Sequence, residues 1–178
     1  MRTLPKWVDK IQDSDKIEQC IYDLCFDPEG TQLVVASGNR VLVYDTANGA
    51  LIQPLKGHKD VVYCVAYAKN GQRFASGSAD KTVIVWTNKL LGQLKYSHSD
   101  AVQCLAFNPV SHQLASCAIS DFAIWTAEQK AVQKHKVSTR INSCAWTNDG
   151  LYLALAFGNG VISIRNKVFV LFKINTKI

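Results

Sequence analysis

His58, Ser76 and Asp80 place an imidazole, a hydroxyl and a carboxylate within one short stretch of chain. These are the groups of a serine hydrolase, in which the base takes the serine proton and the acid orients the base. His98, Ser116 and Asp121 repeat the set about forty residues later, and each set is followed by a tryptophan, Trp86 and Trp125. Neither serine sits in a nucleophile-elbow sequence, and no glycine-rich phosphate loop of either common type is present. The acidic pairs Asp13/Asp15 and Asp27/Glu29 lie in polar segments and read as solvated. Cys25, Cys64, Cys104 and Cys144 each fall inside an apolar, strand-like stretch, where a reduced thiol serves as a small hydrophobe. Cys20 and Cys25 miss the C-x-x-C spacing and no histidines flank them, so the spacing predicts neither a metal site nor a cofactor. The residues predict no catalytic machinery.

Composition narrows the classes further. No apolar run reaches the roughly 18 residues of a membrane span. The opening Met1 to Trp7 meets charge and proline too soon for a secretory signal, and no Asn-x-Ser/Thr acceptor occurs. A cytosolic protein without membrane insertion is expected. The net charge of +6 invites a nucleic-acid reading, but its 20 lysines and arginines are scattered without a basic run. Most aromatics fall at inward strand positions, so neither phosphate neutralisation nor base stacking is built in.

The elements that position these residues form a repeat. Four apolar strands end on an aromatic, at Phe26, Tyr67, Phe107 and Trp146, with spacings of 41, 40 and 39. A Gly, Asn or Pro turn follows each, then a second strand of small residues (Leu33 to Ala36, Phe74 to Gly77, Leu114 to Cys117, Leu153 to Ala156). A second turn leads to a β-branched third strand, and a short fourth strand is expected at Leu51 to Leu55, Gln93 to Tyr96 and Ala131 to Lys134. Helical periodicity is confined to a stretch around Asp13 to Cys20. A four-stranded antiparallel sheet of this size cannot bury both faces alone, and radial stacking of such sheets around an axis covers them. The fold expected is all-β: a propeller of about four blades of four antiparallel strands, an incomplete ring. The expected layout is a lead-in over 1–16, repeats at about 17–55, 56–96, 97–134 and 135–167, and an atypical tail over 168–178.

With Gly57-His58, Asp80 and Trp86, the second unit resembles the WD repeat. That resemblance implies a structural hydrogen-bonded chain of His58, Ser76, Asp80 and Trp86, with a weaker one of His98, Ser116, Asp121 and Trp125 behind a shortened turn. Repeats one and four, ending Tyr44-Asp45 and Ile164-Arg165-Asn166, lack parts of the pattern, and no such network is expected there. Arg40, Lys59, Lys81, Lys136 and Arg140 fall at or near inter-strand turns, where propellers often meet partners, and are the candidate partner-binding positions.

Longer strings are more distinctive. Pro54-Leu55-Lys56-Gly57-His58-Lys59-Asp60, Phe74-Ala75-Ser76-Gly77-Ser78-Ala79-Asp80-Lys81, His112-Gln113-Leu114-Ala115-Ser116-Cys117 and Trp146-Thr147-Asn148-Asp149-Gly150 resemble the first propeller of the intraflagellar transport protein 122 family. The resemblance implies a non-enzymatic scaffold subunit of intraflagellar transport complex A, acting in retrograde ciliary transport, cilium assembly and cargo entry. It implies other complex A subunits and ciliary cargo adaptors as partners, no small-molecule substrate and no nucleic acid. It implies a cytoplasmic place, at the cilium and ciliary base. The alternatives are another WD-repeat adaptor, such as a ubiquitin-ligase substrate receptor, or an RNA-associated propeller. The run Val168 to Ile174 lacks the polar turn that follows the other third strands. It is expected to be the least native part and a candidate makeshift outer strand.

Overall fold

A computed structural model describes residues 4–126, 132 and 134–166, together with the backbone of 172–173. The first sheet is β1 (Ile21–Phe26), β2 (Gln32–Ser37), β3 (Arg40–Asp45) and β4 (Leu51–Lys56). The second is β5 (Val62–Tyr67), β6 (Arg73–Ser78), β7 (Thr82–Thr87) and β8 (Gly92–Ser97). The third is β9 (Val102–Phe107), β10 (Leu114–Ala118), β11 (Asp121–Trp125) and β12 (Lys134–Lys136), and the fourth is β13 (Ile141–Trp146), β14 (Tyr152–Phe157), β15 (Ile162–Asn166) and β16 (Phe172–Lys173). Each is a four-stranded antiparallel meander in chain order, and no helix occurs among the described residues.

The first strands of successive sheets lie side by side, so the sheets stack radially about them. Each first strand carries a bulge after its opening residue, as at Val62/Cys64 and Ile141/Ser143. Bulges of this kind increase local twist and bend the strand. In the first three sheets the middle strands are buried on both faces, which is why they read as continuous runs of Val, Ala, Ser and Phe rather than as alternation. Three apolar layers separate the four sheets. The first packs Val34, Val43 and Val65 with Phe74 and Trp86, the second Cys64, Val83 and Leu105 with Trp125, and the third Cys117, Phe122 and Ile141 with Leu155. Each fully buried Val, Leu or Phe in these layers contributes about 1.5–3 kcal/mol.

The outer faces of the stack are open in part: lead-in residues Trp7 and Ile11 cover Val35, Leu42 and Tyr44 of the first sheet, but not its first strand. Leu24 is 52% exposed, whereas Val65 and Leu105, at the same place in the next two repeats, are 5% and 9% exposed. At the other end Ile162 is 59% exposed, while its counterparts Val41, Val83 and Phe122 are fully buried.

One local expectation changes, and two others fall partly outside the described residues. Around Asp13 to Cys20 the chain makes a tight reversal, not a helix: the Asp13 carboxylate accepts from the Asp15 and Ile17 amides, and Lys16 takes φ 62°. An aspartate side chain that captures nearby N–H groups competes with helix formation. The strand expected over Ala131 to Lys134 lies partly outside the described residues, and the observed pairing runs from Lys134 to Lys136 along Asp121–Ala123. Of the tail, residues 168–171 and 174–178 lie outside the described residues, and the Phe172–Lys173 backbone pairs with Ile164 and Ser163 as an outer strand.

Candidate functional site

His58 enters from the connection between β4 and β5, Ser76 from the middle of β6, Asp80 from the β6–β7 turn and Trp86 from β7. They meet inside the second sheet. The imidazole Nδ1 lies 3.2 and 3.1 Å from the two Asp80 oxygens, and Nε2 lies 2.8 Å from Ser76 Oγ. The Trp86 indole N–H donates to the same hydroxyl oxygen at 2.9 Å. One arrangement of protons satisfies every group: His58 Nδ1–H donates to Asp80, Ser76 O–H donates to Nε2, and Trp86 donates to Ser76. Asp80 also accepts from the Thr82 hydroxyl at 2.6 Å and from the Lys59 amide at 2.9 Å. It thereby ties the β4–β5 connection to the β6–β7 turn.

The third sheet holds the same set despite its shorter turn. His98 Nδ1 meets Asp121, His98 Nε2 lies 2.6 Å from Ser116 Oγ, and Trp125 donates to Ser116. The Ser99 amide donates to Asp121 at 3.2 Å.

Electrostatics keep both sets in one protonation state near neutral pH. Burial pushes the His58 imidazole below its ordinary range against the opposing pull of Asp80, and His98 is lowered in the same way against Asp121. Burial would raise Asp80, yet the Thr82 hydroxyl, the Lys59 amide and His58 bring its carboxyl down to about 2. Asp121 is also lowered, with His98 and Ser99 outweighing burial. The pairs therefore stand as neutral imidazole and carboxylate.

The connectivity is that of a Ser–His–Asp triad, but the setting is not. Ser76 and Ser116 have no exposed surface, and each oxygen is already engaged by an indole N–H. A carbonyl carbon has no route to either hydroxyl, and nucleophilic attack requires contact at about 3 Å.

Repeats one and four put Val35 and Leu155 where the serine stands, and Tyr44 and Arg165 where the tryptophan stands. Tyr44 is served instead by the lead-in. Its hydroxyl donates to Asp9 at 2.9 Å, Trp7 stacks on its ring at 5.9 Å, and the Trp7 indole donates to the Thr46 carbonyl. Burial, with Asp9, pushes the Tyr44 hydroxyl up to about 12. Sequence reasoning missed this substitute tie, for which the Trp7–Asp9 pair before the first repeat was the available signal.

The five candidate partner-binding cations gather at one end of the sheets, where third strands begin and fourth strands end. Lys59, Lys81, Lys136 and Arg140 are exposed. Arg40 is half-buried and donates to the Gln12 carbonyl at 3.0 Å. Lys81 takes φ 68° and reaches the Ser99 carbonyl at 3.3 Å.

The cysteines are grouped in space in a way that their spacing in sequence does not reveal. All six are free thiols, and Cys104 on β9, Cys117 on β10 and Cys144 on β13 converge, their sulfurs all within 4.8 Å of one another.

Comparison with known proteins fits this architecture. Residues 20–172 match the family described as IFT122 first beta-propeller. The intraflagellar transport protein 122 homolog of Danio rerio is 69% identical over 94% of this chain, and that of Xenopus tropicalis 70% identical over 94%. The chain spans 14% of the length of each. Among solved structures, that of U3-55K superposes with a TM-score of 0.77 at 18% identity, covering 87% of this chain and 52% of that one, a likeness of fold alone. With four radially stacked antiparallel sheets and a family match across nearly all of them, the chain belongs to the IFT122 first beta-propeller family.

Proposed function

We propose that this chain is part of a non-enzymatic binding platform within a subunit of intraflagellar transport complex A. The observation that carries this reading is the identity of about 70% to intraflagellar transport protein 122 homologs along nearly its whole length. On this reading the longer protein acts in retrograde ciliary transport, cilium assembly and cargo entry, in the cytoplasm, the cilium and at the ciliary base. Its partners are other complex A subunits and ciliary cargo adaptors, met at the sheet end that carries Arg40, Lys59, Lys81, Lys136 and Arg140. The His58 and His98 sets are structural ties that hold the loops of that end, a role supported by their full engagement and burial. The exposed Leu24 and Ile162 faces are covered by further sheets of the longer protein, as burial of their counterparts suggests.

The test is affinity purification of the full-length protein from ciliated cells. Complex A subunits should co-purify and remain after nuclease treatment. Recovery that depends on RNA and falls steeply with added salt would contradict the proposal, because phosphate-driven binding has that salt dependence.

A further inference from the structure

Cys104 and Cys117 are cross-strand partners on β9 and β10, and Cys144 reaches them from β13 of the neighbouring sheet. Three points no more than 4.8 Å apart share a centre within about 2.8 Å of each, about half an ångström beyond a Zn–S bond of roughly 2.3 Å. Small side-chain shifts bring all three sulfurs to bonding distance.

Packing alone does not require three thiols here. At the preceding interface the same three positions hold Cys64, Gly77 and Leu105, and at the one before it Asp23, Ala36 and Val65. Both interfaces close with buried apolar layers. The third is built differently in a second respect. The position held by Trp86 and Trp125 is taken by Arg165, whose guanidinium carbon lies 4.6 Å over the ring of Phe122, the cross-strand partner of Cys117. Arg165 Nε is buried and carries no hydrogen bond among the described residues. A fixed positive charge thus stands one side chain away from the thiols, in a layer otherwise lined by Ala115, Ile141 and Leu155.

We propose that Cys104, Cys117 and Cys144 form a three-thiolate site for a single zinc ion that clamps the third sheet to the fourth. Soft thiolates select zinc or cuprous copper among common ions. Charge decides between them. Three thiolates with zinc leave one net negative charge, which Arg165 balances, whereas cuprous copper would leave two in a largely apolar layer, where unbalanced charge is costly. Cys104 and Cys144 retain partial solvent exposure, so water can take the fourth position. Binding displaces the thiol protons. Sequence spacing hides the site because its ligands come from three strands of two sheets.

The test uses the reduced 178-residue chain, with zinc and, as a spectroscopic substitute, cobalt(II). Native mass spectrometry should show one zinc per chain, and cobalt should give thiolate charge-transfer absorption. Cys117→Ala and Cys144→Leu, which copy the residues at equivalent positions in β14 and β9, should weaken uptake at least about 100-fold. Cys64→Ala should leave it unchanged. In the unaltered chain, zinc should protect the partly exposed Cys104 and Cys144 from alkylation while Cys20 stays reactive, a readout that needs no variant to fold. No uptake by the reduced chain, equal uptake by both variants, or protection falling on other cysteines would overturn the proposal. Uptake of cuprous copper without zinc would overturn the assignment of the ion.

Discussion

The Asn108 side-chain amide donates to the Gly150 carbonyl at 2.9 Å, joining the turn after β9 to the turn after β13 in the next sheet. Asn108 has no exposed surface, and its other amide atom, Oδ1, accepts from the Val110 and Ser111 amides at 3.0 and 2.9 Å. Gly150 has φ +68°, and a Cβ there would stand 2.4 Å from Asn108 Oδ1. Asn108→Ala leaves three backbone groups without this partner and should destabilise the chain by about 2–4 kcal/mol. Gly150→Ala meets both backbone strain and a clash, and should cost at least about 1–2 kcal/mol. Urea unfolding of both variants checks this; values within error of the unaltered chain would show that the link between the sheets is dispensable.

Acid should weaken the fold in two stages. His58 and His98 have folded-state values below the ordinary 6.5, so the unfolded chain binds protons first. Their contribution is fully present above about pH 6.5 and is lost as pH falls, by at most about 1.4 kcal/mol per pH unit per histidine. Asp80, held at about 2, adds a second loss as pH falls from about 4 toward 2. Unfolding midpoints measured from about pH 8 down to about pH 5 should decline below about 6.5. A flat profile would contradict neutral, buried imidazoles.

Leu24 and Val65 occupy equivalent positions with opposite surroundings, one open and one closed. In the 178-residue chain Leu24→Asp should change stability by less than about 0.5 kcal/mol, while Val65→Asp, which buries a carboxylate, should prevent folding. In the longer protein Leu24→Asp should become strongly destabilising. Thermal unfolding of the two variants in both lengths measures this. A neutral Leu24→Asp in the longer protein would show that no further sheet covers that face.

Features repeated within each unit were the legible ones. The aromatic period announced the strands, and the doubled His, Ser, Asp and Trp set announced which side chains converge, since all four come from one sheet and its adjoining loop. Contacts between sheets left no comparable trace. Asn108 reads as an ordinary turn residue until Gly150 is seen above it. Cys104, Cys117 and Cys144 are far apart in sequence and occupy different places in their repeats, so no spacing rule groups them. Of the fourth strand expected over Ala131 to Lys134, Lys134 is shared with the observed Lys134–Lys136 and residues 131 and 133 lie outside the described residues; weak outer strands carry little apolar pattern from which to set their bounds.

The central claim, that the Ser–His–Asp sets hold structure and perform no chemistry, is tested most directly on Ser76→Ala. This change removes the Oγ that accepts from Trp86 and donates to His58. Ester and peptide hydrolysis and urea unfolding should be measured on the same preparations of the unaltered chain and the variant. The expected result is no turnover above buffer by either protein, with a stability loss of about 1–3 kcal/mol in the variant. Turnover by the unaltered chain that Ser76→Ala abolishes, at unchanged stability, would contradict the account.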